Sequence, residues 1–177
     1  MIIAGAAWTF GNNVSTDEIV PGRYLGAGLE ELARHVFESG APGLAERMRV
    51  GDIVVGAANF GTGSSREQAP IALREAGFGA VVAASFARIF YRNCINIGLP
   101  VFWSAEAAAD VAEGDRLEID TEAGTIRNAT REREYHVTPL PSFVQGIVEA
   151  KGLVEYARSR LGQSLVPADG QDGDLNQ

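Results

Sequence analysis

Two serines and an arginine, Ser64, Ser65 and Arg66, follow a Gly61-Thr62-Gly63 turn inside the stretch Asn59–Pro70, NFGTGSSREQAP. Glycine lets a backbone turn tightly or approach a ligand closely. Such a turn at the start of a helical pattern presents unpaired N–H groups and the positive end of a helix dipole, which together favour an anion. Arg66 adds a planar fork able to grip a carboxylate with two hydrogen bonds. The segment therefore reads as an anion site with hydroxyls inside it, Thr62 and Gly63 forming its wall. A plainer role fits the same letters. Ser64-x-x-Glu67 and Ser65-x-x-Gln68 both match a capping box, in which the hydroxyl only closes orphan amides at a helix start. Spacing alone leaves both readings open. The glycines do not make a nucleotide motif: Arg66 stands where a dinucleotide fingerprint needs glycine, and no G-K-[ST] follows. Pro70, without an N–H, implies an irregular first turn.

The elements that must hold this segment alternate between strand and helix. Asp52–Ala57 and Gly79–Ala84 are short β-branched runs of the kind buried in parallel sheets. Ser65–Ala76 supplies the crossover helix between them and stops at Gly77. The serines thus fall at the carboxyl end of the first strand, where open α/β sheets usually bind ligands. Ser85 is positioned to cap a further helix whose apolar stripe is Phe86, Ile89, Phe90 and Ile97, ended by Gly98-Leu99-Pro100. Beyond Ala105 the texture changes to three antiparallel strands, Arg116–Asp120, Thr125–Asn128 and Glu134–Thr138, with a turn at Glu122-Ala123-Gly124. Two helices, Pro141–Ala150 and Leu153–Leu161, close the domain. The expectation is one layered α/β domain over residues 1–162 and a flexible polar tail over 163–177.

Composition narrows the partners. The chain has 177 residues, 46% hydrophobic and 21% charged, enough for a sizeable core without disulfides. A formal net charge of −8 argues against nucleic acid or an anionic membrane. No apolar run reaches the roughly 20 residues a membrane helix needs. MIIAGAAWTF lacks the basic start of a secretory signal and reads as a first strand. With Cys94 the single cysteine, no internal disulfide is available and a cytoplasmic setting is expected. Cys94 lies in an apolar helical pattern and reads as a buried structural thiol. His35 and His136 are far apart and lack companions, so no metal site is expected. The serine is not in a G-x-S-x-G elbow either, which disfavours a hydrolase.

Three blocks taken together resemble a known family: Gly11–Leu25 (GNNVSTDEIVPGRYL), Asn59–Pro70, and Ala84–Pro100 (ASFARIFYRNCINIGLP). They are similar to the small subunits of 3-isopropylmalate dehydratases, which correspond to the swivelling fourth domain of aconitase. The resemblance covers roughly residues 1–162 and implies a swivelling β/β/α fold with a layered mixed sheet and flanking helices. It further implies a hydro-lyase that isomerises a small hydroxy di-acid by dehydration and rehydration, as in leucine biosynthesis. The partner implied is a large subunit carrying a [4Fe–4S] cluster that acts as Lewis acid. One cysteine cannot hold such a cluster, so no cofactor is expected on this chain. Family roles fall on Ser64 as the base, Ser65 as a supporting donor and Arg66 as the substrate-carboxylate ligand. A serine hydroxyl is weakly acidic, so amide donors and a cation must stabilise its alkoxide. Three letters depart from the common pattern: Thr62 for Cys, Gln68 for His, and Cys94 for another small residue. They bear on substrate more than on activity.

In such proteins the loop after the first block reaches the variable end of the substrate. Here it runs Arg23-Tyr24-Leu25-Gly26-Ala27, with no basic residue directly after Tyr24-Leu25. A third carboxylate would need a cation to offset its desolvation, so an alkyl group suits the loop better. The expected substrate is isopropylmalate, with citramalate, dimethylmalate and homoaconitate as competitors, unless Arg23 turns inward. Asp17 is either a cap for its turn or an orienter of an arginine. Arg88 and Arg92, spaced i, i+4, make either a solvated basic face or an active-site or subunit-facing one. A non-catalytic carboxylate-binding module is the rival of a different class.

Overall fold

The structure, a computed structural model, describes residues 1–161. The polar tail expected over residues 163–177 lies outside the described residues. A seven-stranded mixed sheet runs through the molecule in the order β4-β3-β2-β1-β5-β6-β7. Its parallel half is β1 (Ile2–Phe10), β2 (Ile53–Gly56), β3 (Ala80–Ala83) and β4 (Val101–Trp103). Its antiparallel half is β5 (Arg116–Asp120), β6 (Thr125–Asn128) and β7 (Arg133–His136). The second half is continuous with the first through β1, where Ile3 pairs with Ile119.

The side-chain alternation of β2 and β3 builds two cores. Val54 and Val81 pack on one face with Leu73, Phe90 and Leu99, beneath α4 (Gln68–Ala76) and α5 (Arg88–Ile97). Ile53, Val55 and Val82 pack on the other with Leu117, Ile119, Ile126 and Tyr135. Residues of both sheet halves share that second core, so the sheet curls around it. Four short helices, α1 (Thr16–Ile19), α2 (Leu29–Arg34), α3 (Leu44–Arg47) and α6 (Ala105–Asp110), flank the strands. The C-terminal pair, α7 (Ser142–Glu149) and α8 (Leu153–Leu161), packs beside α5. Both α4 and α5 end where the sequence indicated, on left-handed glycines Gly77 and Gly98. Cys94 is fully buried in the first core. No helix among the described residues is long and apolar enough to cross a membrane.

The last strand ends two residues earlier than expected, at His136, and two boundaries at the site also differ from the expectation. Helix α4 begins at Gln68 instead of Ser65, with Glu67 at its N-cap and no side chain closing its amides. Pro70 therefore sits in the first turn, where its missing N–H costs no intrahelical bond. The start of α5 is likewise uncapped by a side chain: Ala87 holds the N-cap, and the Ser85 hydroxyl instead accepts the Asn59 amide at 2.8 Å. Ile89 is exposed and does not belong to the apolar stripe that buries Phe90.

Candidate active site at the carboxyl edge of the parallel strands

The three sequence blocks meet at one edge because their backbones are laced together. After β2 the chain meets the segment following β1. The Asn13 amide donates to Ala58 O at 2.8 Å, and the Gly61 and Thr62 amides donate to Val14 O at 2.8 and 3.1 Å. The Thr16 amide returns a bond to Thr62 O at 2.8 Å. On the other side, the Phe60 amide donates to Ser85 O and the Ala87 amide to Phe60 O, each at 2.9 Å. Phe60 also packs against Phe90 and Phe86, with ring centroids 5.5 and 6.3 Å apart. Gly61 must be glycine: its φ is +79°, and a Cβ there would lie 2.1 Å from Phe90 Cγ.

This lacing exposes Ser64 and Ser65 on the connection between β2 and α4. Neither hydroxyl caps the helix, so the capping reading does not describe them. Ser64 Oγ lies 3.2 Å from Thr16 Oγ1. Thr16 is only 1% exposed and begins α1, so its hydroxyl is a fixed partner. Gly63, at φ +100°, turns the chain just before.

Arg66 forms an ion pair with Asp17. The turn containing Asp17 is capped by a different residue: Ser15 Oγ accepts the Glu18 amide at 3.1 Å while Glu18 Oε2 accepts the Ser15 amide at 2.7 Å. Of the two roles open to Asp17, the structure has it orienting an arginine. A Cβ built on Gly22 would stand 3.5 Å from Arg66 Nη2, so the chain entering the 3-10 turn Gly22–Tyr24 brushes the site.

Arg23, next in that turn, is directed to Glu38, with Nη2 to Oε2 at 2.8 Å, and lies over the Tyr24 ring at 4.7 Å. Tyr24 and then Glu38 hold its guanidinium pKa above the usual value. Burial acts to raise the Glu38 carboxyl, but Tyr24, Arg23 and His35 outweigh it and leave the pKa below the usual carboxylate range. Leu25, partly buried, closes the turn. Arg88 and Arg92 are exposed along α5, and among the described residues neither makes an ion pair. Arg88 follows Ala87, whose bond to Phe60 ties this end of α5 to the serine segment.

Among the described residues no three His, Cys, Asp or Glu side chains gather as a metal site. Burial pushes the Cys94 thiol well above its ordinary pKa. A lone, inaccessible thiol does not fit a [4Fe–4S] cluster, which several thiolates must hold. Two wide hollows, of about 560 Å³ beside His35 and Glu31 and about 610 Å³ beside Val50 and Lys151, lie apart from Ser64. Ser64 itself is exposed to solvent.

Sequence reasoning passed over Thr16 and Glu38. Thr16 sits in the S-T-D-E stretch of the first block, yet only folding carries it to Ser64. Glu38 lies outside all three blocks.

The architecture and these contacts agree with what the chain resembles. Residues 31–106 match the model of the aconitase C-terminal domain. The chain is 52% identical over 166 residues to the 3-isopropylmalate dehydratase small subunit of Moorella thermoacetica, covering 93% of this chain and 100% of that one. It is 53% identical over 156 residues to the methanogen homoaconitase small subunit of Methanothermobacter thermautotrophicus, covering 88% and 90%. A crystal structure of 3-isopropylmalate dehydratase from Methanocaldococcus jannaschii superposes with a TM-score of 0.86 at 40% identity, covering 91% of this chain and 96% of that one. Near-complete coverage at such identity leaves one conclusion: the chain belongs to the 3-isopropylmalate dehydratase small-subunit family of the aconitase superfamily.

Proposed function

We propose that this chain is the small subunit of a cytoplasmic two-subunit hydro-lyase that interconverts 2-isopropylmalate and 3-isopropylmalate, with Ser64 as its base. The observation that carries the reading is the uncapped Ser64 hydroxyl, exposed beside Thr16 Oγ1 and two residues from Arg66. In the dehydration direction the Ser64 alkoxide takes the proton on the carbon next to a substrate carboxylate, the electron pair forms the double bond, and hydroxide leaves. Rehydration with the opposite regiochemistry, hydroxide adding to the carbon that lost the proton and Ser64 returning the proton to the carbon that lost hydroxide, gives the isomer. Thr16 Oγ1 and nearby amides stabilise the alkoxide, Ser65 donates a supporting hydrogen bond, and Arg66 binds the substrate carboxylate. Asp17 keeps the Arg66 fork in place. A [4Fe–4S] cluster on the large subunit would supply the Lewis-acid assistance for the departing hydroxyl, and this chain's residues would hold none of it.

An alkyl-bearing substrate is favoured because Arg23 is engaged by Glu38, leaving Leu25 and Gly26 to meet the variable end. The 53% identity to a homoaconitase small subunit supports a second reading, in which a longer tricarboxylate is the substrate.

The test is anaerobic co-expression with the large subunit, then assays on isopropylmalate, citrate, homocitrate and citramalate. Activity on isopropylmalate by the complex and by neither subunit alone is expected. Ser64→Ala should lower turnover by about 100-fold or more without disturbing assembly. A fully active Ser64→Ala complex would remove Ser64 as the base, and a preference for homocitrate would replace the substrate.

A further inference from the structure

We propose that Glu38 is a positioning residue for substrate choice, which holds Arg23 away from the site and so keeps the variable end of the substrate pocket free of positive charge. The proposal deepens the hydro-lyase reading above and rests on it. Arg23 stands next to Gly22, whose built Cβ lies 3.5 Å from Arg66 Nη2 and 3.6 Å from Asp17 Oδ1. Its backbone therefore borders the arginine that is to grip the substrate, and a long, flexible side chain at that place can turn either way.

Two contacts engage the Arg23 side chain, and His35 braces both partners. Arg23 Nη2 meets Glu38 Oε2 at 2.8 Å, and the guanidinium lies over the Tyr24 ring at 4.7 Å. Tyr24 is itself stacked on His35, with centroids 3.9 Å apart and planes 8° from parallel. His35 Nδ1 reaches the same Glu38 oxygen at 3.1 Å, while its Nε2 meets Glu31 Oε1 at 3.0 Å. The ion pairs of Arg23 and His35 thus converge on one solvent-inaccessible oxygen, Glu38 Oε2, which neither partner meets in hydrogen-bonding geometry.

Glu38 is well placed to hold. The preceding residue, Phe37, is 1% exposed and stacks on Phe10 at 3.9 Å, and its amide donates to Ile19 O at 2.9 Å. Ile19 ends α1, the turn that supplies Thr16 and Asp17 to the site. The clamp and the candidate catalytic residues therefore share one frame.

The consequence is a specificity device acting through charge. A released Arg23 beside Arg66 would offer a partner to a third substrate carboxylate and would leave an unpaired cation against an alkyl group. Glu38 selects against tricarboxylates by occupying that cation.

The experiment uses the complex of the full chain with its large subunit and reads kcat/KM for homocitrate relative to 3-isopropylmalate. This ratio cancels any change in the fraction of assembled enzyme. Glu38→Gln is expected to raise it by about 10-fold or more. Adding Arg23→Gln should bring the ratio back, because the released cation is then gone. Glu38→Asp keeps the charge but withdraws it by one methylene, and should shift the ratio in the same direction by a smaller factor. An unmoved ratio in the assembled Gln and Asp variants overturns the proposal, as does a shift that survives Arg23→Gln. A wild-type complex inactive on both acids would instead overturn the functional reading beneath it.

Discussion

Thr16 Oγ1 and Ser64 Oγ stand 3.2 Å apart although 48 residues separate them, one hydroxyl buried and the other facing solvent. Thr16 also bonds through its amide to Thr62 O, so it joins the serine segment through both backbone and side chain. With Ser64 as the proposed base, a Thr16 hydroxyl donating to it would lower the cost of forming the alkoxide.

Thr16→Val, which keeps the shape and removes the hydroxyl, is therefore expected to lower kcat by about 10-fold or more while KM changes little. Steady-state assays on the assembled complex test this. A normal kcat would reduce Thr16 to a backbone anchor.

Gly61→Ala should be costly for a different reason. The position combines φ +79° with a Cβ that would overlap the Phe90 ring. Destabilisation of roughly 2–4 kcal/mol is expected from overpacking and backbone strain together. Thermal unfolding of the isolated chain measures it, and a shift of under about 0.5 kcal/mol would contradict the packing described.

The contrast between Gly61 and Ser64 shows what the letters alone disclose. The βαβ unit, the helix stops at Gly77 and Gly98 and the buried Cys94 were legible because apolar period and glycine position express local physics. The start of α4 was not. Ser64-x-x-Glu67 has the spacing of a capping box, but the residues just before it donate to Val14 O and accept from the Thr16 amide, bonds that cross from another part of the chain. The same four-residue pattern at Ser15-x-x-Glu18 does form the box. The sequence leaves Asp17 open for the same reason: cap and orienter differ only in whether Arg66, 49 residues on, arrives beside it. Arg66 was conspicuous in sequence, whereas Glu38 had no local mark at all.

Cys94 is expected to resist alkylation in the native protein. Burial raises its thiol pKa, so at neutral pH the nucleophilic thiolate is scarce as well as inaccessible. Iodoacetamide labelling followed by mass spectrometry should proceed at the rate of unfolding. Rapid labelling of folded protein would contradict the packing of α5.

Alkaline stability should carry a mark of Tyr135. Burial, aided by its hydrogen bond to Asp110, pushes its phenol up to about 12 from an ordinary value of 10.0. A folded-state pKa above the unfolded one means that the native protein holds the proton longer. The stabilisation is thus complete below about pH 10 and is lost as pH rises towards about 12. Urea midpoints across that window should fall less steeply in Tyr135→Phe than in the wild type. Equal slopes would sink the assignment.

The place of β1 bears on how the chain is made. One side of β1 pairs with β2, and the other pairs with β5, where Ile2 meets Asp120 across more than a hundred residues. A ribosome therefore releases the whole parallel half, with every residue of the serine edge, while β1 still lacks its second neighbour. For that interval the nascent chain carries an apolar strand with unpaired amides and carbonyls, a template for joining another copy edge to edge. The late antiparallel strands add no residue to the candidate site. Their arrival seals β1, which gives them a part in yield and solubility even where they play none in chemistry.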